Sequence, residues 1–250
     1  MMANSLPFTE GAEVEHKIPS ALLRLMAVIA ALLSIVLFMP LMPVMPNLGL
    51  DPSWNLAANE ATARGLQFGT DILYTVGPLS NVWTQAYHPE TIRLAFVAGL
   101  LLTLGHAFLL YRLAIASHPA WFLAFVLAVA ILMESRDTLF LFYPVLLVVA
   151  TFRMSLPFSH RDKIELTRGE SVWLVLAGAG LGLLPIMKLS FLPLTLVAWI
   201  ISSILLLIAR YRLTMVSMAL MPGLVMVVFW VSAGQDLATL PNYFASNAPI

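Results

Sequence analysis

The chain has 250 residues and no net charge, with 60% hydrophobic side chains against 10% charged ones. A soluble domain carries about a quarter charged residues, so a mean hydropathy of +0.91 excludes an ordinary soluble protein and places the chain in a membrane. A net charge of zero argues against nucleic acid as a partner, and a cysteine count of zero excludes disulfides, thiolate nucleophiles and Cys-based metal centres.

A spanning helix needs about 20 mostly apolar residues. In chain order the candidate runs are 21–43, 92–117, 120–133, 138–152, 172–187, 192–209 and 215–233, which predicts an all-α bundle of about seven transmembrane helices. The third and fourth runs are short, and Pro144, Pro185 and Pro222 interrupt the fourth, fifth and seventh. Prolines are tolerated in such helices when neighbours re-satisfy the freed backbone. The first run is too long for a cleaved signal peptide and lacks a small-residue cleavage site, so it reads as a retained anchor. The 13 methionines read as flexible apolar filler between helices.

Lys and Arg concentrate on the cytoplasmic side of membrane proteins. With residues 1–20 as a cytoplasmic tail, nine of them fall inside (Lys17, Arg24, Arg112, Arg153, Arg161, Lys163, Arg168, Arg210, Arg212) and four outside (Arg64, Arg93, Arg136, Lys188). The bundle then spans 21–233, its first loop, 44–91, lies outside the cytoplasm, and 234–250 reads as the start of a further extracytoplasmic segment of a longer chain. The stretch 159–170, SHRDKIELTRGE, reads as a solvated cytoplasmic turn.

Three polar knots fall on the outer side. The first loop holds Asp51, Glu60, Asp71 and Glu90, and its DPS sequence offers an N-cap Asp before a short interfacial helix over 53–66. Gly65, Gly69 and Gly77-Pro78 then punctuate a small β-prone run. MESRDTLF supplies Glu134, Arg136 and Asp137. PIMKLSFLP supplies Lys188, with no acid adjacent in sequence; such a lysine snorkels, pairs or binds an anion. Carboxylates and isolated cations at a membrane surface suit an anionic, lipid-linked substrate, the cations neutralising phosphate and a carboxylate accepting a hydroxyl proton.

A first helix, an outer loop opening on Asp51, a juxtamembrane helix and the turn Gly77-Pro78-Leu79 before Trp83 resemble the GT-C superfamily of polytopic glycosyltransferases. The resemblance is to the branch with protein O-mannosyltransferases and aminoarabinose transferases. SRDTLFLFYPVLL resembles the second outer loop of that family and places Asp137 in its acid position, so the resemblance covers about 21–147. Those relatives carry Asp-Glu where this chain has Asp51-Pro52, which leaves Glu60 or Asp71 to supply a second carboxylate. The resemblance implies transfer of a sugar from a polyprenyl-phosphate donor to an acceptor on the outer face of a bacterial inner membrane. Asp51 would act as general base or orienting carboxylate, Asp137 would hold the acceptor or a divalent metal, which is optional in the superfamily, and Arg136 and Lys188 would meet the carrier phosphate. Trp54, Tyr74 and Trp83 would stack on the sugar or anchor the interface. A transporter or flippase using His106 within the second helix, and a noncatalytic envelope-assembly protein, are the competing classes.

Overall fold

The computed structural model describes residues 19–45, 50–115, 119–132, 135–155 and 166–246; of Asp51 it describes the backbone alone. Most of the expected tail 1–20, Glu134, and residues 159–165 and 247–250 lie outside the described residues.

The chain is a multi-pass helical membrane protein. Among the described residues, six helical stretches are long and apolar enough to cross a bilayer: Ser20–Phe38, Ile92–Ile115, Arg136–Ser155, Arg168–Met187, Leu189–Ile208 and Arg212–Ser232. The helices are α1 (Ser20–Phe38), α2 (Leu50–Ala63), α3 (Ser80–Thr84), α4 (Ile92–Ile115), α5 (Pro119–Leu132), α6 (Arg136–Ser155), α7 (Arg168–Gly180), α8 (Leu184–Met187), α9 (Leu192–Ile208), α10 (Arg212–Ser232) and α11 (Leu240–Ser246). The third apolar run forms α5, whose 14 residues give about 21 Å of helix, short of the roughly 30 Å hydrocarbon core. Its neighbours still bracket a crossing, since α4 ends beside α7 at one end of the bundle and α6 begins beside α3 at the other. The fourth run is longer than its hydropathy suggests, because Arg136 and Asp137 join the helix ahead of the apolar residues.

α4 lies against α1 and α7, α6 against α9, and α10 against both α7 and α9. Small residues allow close approach, the usual device where helices meet in lipid. The Tyr143 hydroxyl of α6 donates to the Ala177 carbonyl of α7 at 2.8 Å, and any side chain at Gly105 or Gly180 would overlap it. His106 of α4 is buried, with Nδ1 2.8 Å from the Ser34 hydroxyl, which itself donates to the Ala30 carbonyl. The imidazole therefore donates from Nδ1, and it packs between helices beside the rings of Phe38 and Tyr143.

One end gathers the α4 C-terminus and the α7 N-terminus, where Arg112 pairs with Glu170 and a capping box joins Thr167 to Glu170. The opposite end, called the loop end below, gathers the loop between α1 and α4, the first turn of α6, the break between α8 and α9, and α11. No strand forms among the described residues; the β-prone run makes only isolated bridges, Phe68 with Ile72 and Val76 with Lys188.

Candidate functional site

The loop is held by buried polar bonds. On α2, Asn59 donates to the Ala86 carbonyl at 2.9 Å and accepts from the Thr91 hydroxyl at 2.8 Å, while Asn81 donates to the same hydroxyl at 3.0 Å. Thr62 reaches the Pro78 carbonyl. These groups are desolvated, so each bond removes a penalty of about 1–3 kcal/mol that an unpaired group would cost. Because α2 already includes Leu50, Asp51 sits within the helix and not at its cap, as the sequence had implied.

A two-way clasp ties the next turn to the end of α10. Gln235, 3% exposed, accepts from Phe68 N–H at 2.8 Å and donates to the Leu66 carbonyl at 3.0 Å. Gln67 returns the exchange, accepting from Asp236 N–H and donating to the Gly234 carbonyl. Asp71 spends Oδ2 on the Gln67 N–H at 2.9 Å, closing its own exposed turn. Gly69 has φ +91 and lies against the backbone of Asn242 and Tyr243, which a side chain there would overlap.

Thr75 to Leu79 then pairs with the α8–α9 break. Leu189 N–H donates to Thr75 O at 2.8 Å, Gly77 N–H to Met187 O at 3.0 Å and Leu79 N–H to Ile186 O at 3.1 Å. Pro193, in the first turn of α9, has no N–H with which to continue a ladder from α8. With the Leu189 N–H given to Thr75 O and not to a carbonyl of α8, Lys188 is extended, at φ −153 and ψ 124. Tyr243 secures the break by donating to the Pro185 carbonyl at 3.1 Å, and burial pushes its phenol above the ordinary 10.0, so the group stays protonated.

This break carries Lys188 to Asp137, with Nζ 2.6 Å from Oδ2, and to Trp83, with Nζ 4.1 Å from the ring centroid. Phe191 lies 5.9 Å from the same ammonium. Arg136 donates from Nε to the Trp83 carbonyl and from its terminal nitrogen to Val82 O at 3.2 Å. These are last-turn carbonyls of α3, where a cation also complements the helix dipole. Trp83 stacks on Trp54 at 5.8 Å and 20°, and Trp54 meets the half-exposed Tyr74 edge-on at 5.8 Å.

Of the residues singled out from sequence, Arg136, Asp137, Lys188, Trp54, Tyr74 and Trp83 form one cluster. Asp71 has no described bond to it. Asp51 lies on the helix that brings Trp54 to the cluster, and its side chain is outside the description. Two buried polar atoms in the cluster lack a partner: Trp83 Nε1, a donor, and Asp137 Oδ1, an acceptor. Among the described residues no group of three His, Asp or Glu side chains is placed to hold a metal. The ammonium of Lys188 lies against the Asp137 carboxylate where a cation would bind, so the cluster does not fit a divalent ion.

Asn59, Gln67, Gln235 and Phe191 were not apparent from sequence. Of these, only Asn59 had a signal, as a polar residue between Ala57, Ala58 and Ala61 on a short helix. Comparison with protein families, curated proteins and solved structures finds no match to this chain.

Proposed function

We propose that the loop end is the active site of a membrane glycosyltransferase. It would take a sugar from a polyprenyl-phosphate-linked donor and pass it to an acceptor at the outer face of a bacterial plasma membrane, with the N-terminus in the cytoplasm. The observation that carries this reading is the single cluster joining Lys188, Asp137 and the Trp54–Trp83 stack, with one unused buried donor and one unused buried acceptor. Sugar rings need an aromatic platform and paired donors and acceptors for their hydroxyls; a lipid phosphate needs a cation. Lys188 uses one of its three donors on Asp137, which leaves two for phosphate oxygens.

In the transfer, the acceptor hydroxyl oxygen forms a bond to the anomeric carbon as the bond from that carbon to the phosphate oxygen breaks. The phosphate leaves on its lipid with the bonding electrons, and the hydroxyl proton passes to a carboxylate, assigned to Asp51. Asp137 holds Lys188 toward the phosphate and offers Oδ1 to a hydroxyl. The orientation rests on charge: Arg112, Arg153, Arg168, Arg210 and Arg212 fall at the end opposite the loop, which the positive-inside tendency assigns to the cytoplasm. A transport role for His106 is disfavoured by its bond to Ser34 and its packed surroundings.

The test is expression of the full chain with Asp51→Asn and Asp137→Asn variants at matched protein levels, reading surface glycans and glycolipids by mass spectrometry. Loss of one glycan species in both variants is expected. An unchanged glycan profile in both would sink the assignment.

A further inference from the structure

A cavity of about 210 Å³ lies in the loop-end half of the bundle between α7–α8, α9 and α10, with Phe244 of α11 also in its wall. Its lining includes Leu181, Pro185, Leu196, Trp199 and Met226, with no charged residue among them. The one hydroxyl in the lining belongs to Thr195, which is 2% exposed and whose Oγ1 has no partner. The buried helix hydroxyls of Ser34, Thr62, Thr151 and Ser155 each bond to the carbonyl four residues back, whereas Thr195 and, two turns further along α9, Ser202 do not.

The walls are fixed. Pro222 leaves the Met218 carbonyl without its helical donor, and Trp199 Nε1 donates to it at 2.9 Å, joining α9 to α10 one turn before the proline. The α7–α8 connection cannot be moved further inward, because Gly182 already lies against the Pro222 carbonyl. Water does not suit the space, since a buried water needs two to four polar partners and the lining offers one side-chain hydroxyl. Leu196, 39% exposed, connects the cavity with the lipid-facing perimeter. Thr195 lies six residues beyond Leu189, where the spanning stretch Leu189–Ile208 begins, about 9 Å along the axis and inside the hydrocarbon layer.

We propose that this cavity binds one acyl chain of a bilayer glycerolipid, entering between α9 and α10, with the chain's ester carbonyl accepting a hydrogen bond from the Thr195 hydroxyl. The uncharged lining admits the chain and ester but not a headgroup. The unpaired Thr195 hydroxyl in this uncharged lining needs a neutral acceptor, which the ester of a glycerolipid supplies and an isoprenoid tail does not. The site is separate from the Lys188 cluster and does not depend on the transferase reading.

The experiment uses the full chain in nanodiscs of ether-linked phosphatidylcholine containing a trace of the ester-linked lipid with a mid-chain diazirine, photolysed and mapped by mass spectrometry. Expected labelling is concentrated at Trp199 and Met226 over Leu220, a 65% exposed control on the outer surface of α10. Thr195→Val, which keeps the shape, should lower cavity labelling about fivefold, the effect of losing one net hydrogen bond, and leave Leu220 unchanged. Met226→Trp should suppress labelling at Trp199 by filling the space. An ether-linked probe should label wild type and Thr195→Val equally. Labelling no greater at Met226 than at Leu220, or insensitive to Thr195→Val in the ester lipid, overturns the proposal. So does displacement of the label by trace polyprenyl phosphate, which would make the occupant an isoprenoid.

Discussion

Lys188 and Asp137 are 51 residues apart in the chain and 2.6 Å apart in space, Nζ against Oδ2. An ammonium near the edge of a bilayer is costly alone. Here it is matched by a carboxylate from a different spanning helix and by the face of Trp83. Truncating one partner leaves the other charge uncompensated, so Lys188→Met and Asp137→Asn should each destabilise the protein, and the double variant should lose less than their sum. The expected coupling is about 1 kcal/mol, kept modest by the partial exposure of Asp137. Additive losses in detergent unfolding would show that the pair contributes nothing.

The glycines divide sharply by what surrounds them. Gly77→Ala would drive a methyl into the Ile186 carbonyl and break the pairing that extends Lys188; a cost of about 2 kcal/mol is expected from overpacking. Gly169, helical in α7 with open space around it, should tolerate alanine and gain about 0.5–1 kcal/mol. Thermal unfolding of the two variants side by side checks the opposite signs.

The Gln67–Gln235 clasp should control access to the loop. Gln235→Met removes a buried donor and acceptor together and frees the Phe68 N–H and the Leu66 carbonyl. Trypsin cleavage after the exposed Arg64 should accelerate about five- to tenfold, as a loss near 1–1.4 kcal/mol implies when cleavage follows opening. Unchanged cleavage would show that the loop opens independently of α10. The same cut in intact spheroplasts, with protease added outside, reports which side the loop faces.

Acid should loosen the α2 side of the loop. The guanidinium of Arg64, and then the His88 imidazole, hold the Glu60 carboxyl below its ordinary 4.5 through hydrogen bonds. A depressed folded value means the contribution is complete above about pH 4.5 and is lost as pH falls through the folded value. Hydrogen exchange over α2 should rise across that acid window in wild type and show a flatter response in Glu60→Gln. Parallel profiles would assign the acid sensitivity to another group.

The all-helical, multi-pass class was legible because burial in lipid demands apolar runs of helical length, and α1, α4, α9 and α10 coincide closely with such runs. The length of α6 was less clear, since Arg136 and Asp137 lower hydropathy where the helix begins. The partner of Lys188 was invisible, because nothing local links residues so distant in sequence. The β-prone run was misleading in a physical way: Val76 makes a bridge to Lys188 in a helix break and not to a second strand, and Pro78 and Leu79 already turn into α3. Gly77 was readable as a turn residue, whereas its reason, the Ile186 carbonyl beside it, is purely tertiary.

Pro222 and Trp199 are two sequence features that explain each other. A proline within a helix removes the donor for the carbonyl four residues earlier, which here is Met218 O, and Trp199 Nε1 supplies the missing bond at 2.9 Å. Trp199→Phe should therefore cost about 1–2 kcal/mol with Pro222 present, because a carbonyl in a low-dielectric interior loses its partner. In a Pro222→Ala background the backbone supplies its own N–H to Met218 O, and Trp199→Phe should cost only the packing difference between the rings. A double-mutant cycle measured by unfolding in detergent isolates that difference. Equal costs of Trp199→Phe in both backgrounds would show that the indole acts through packing alone and that Met218 O is satisfied by other means.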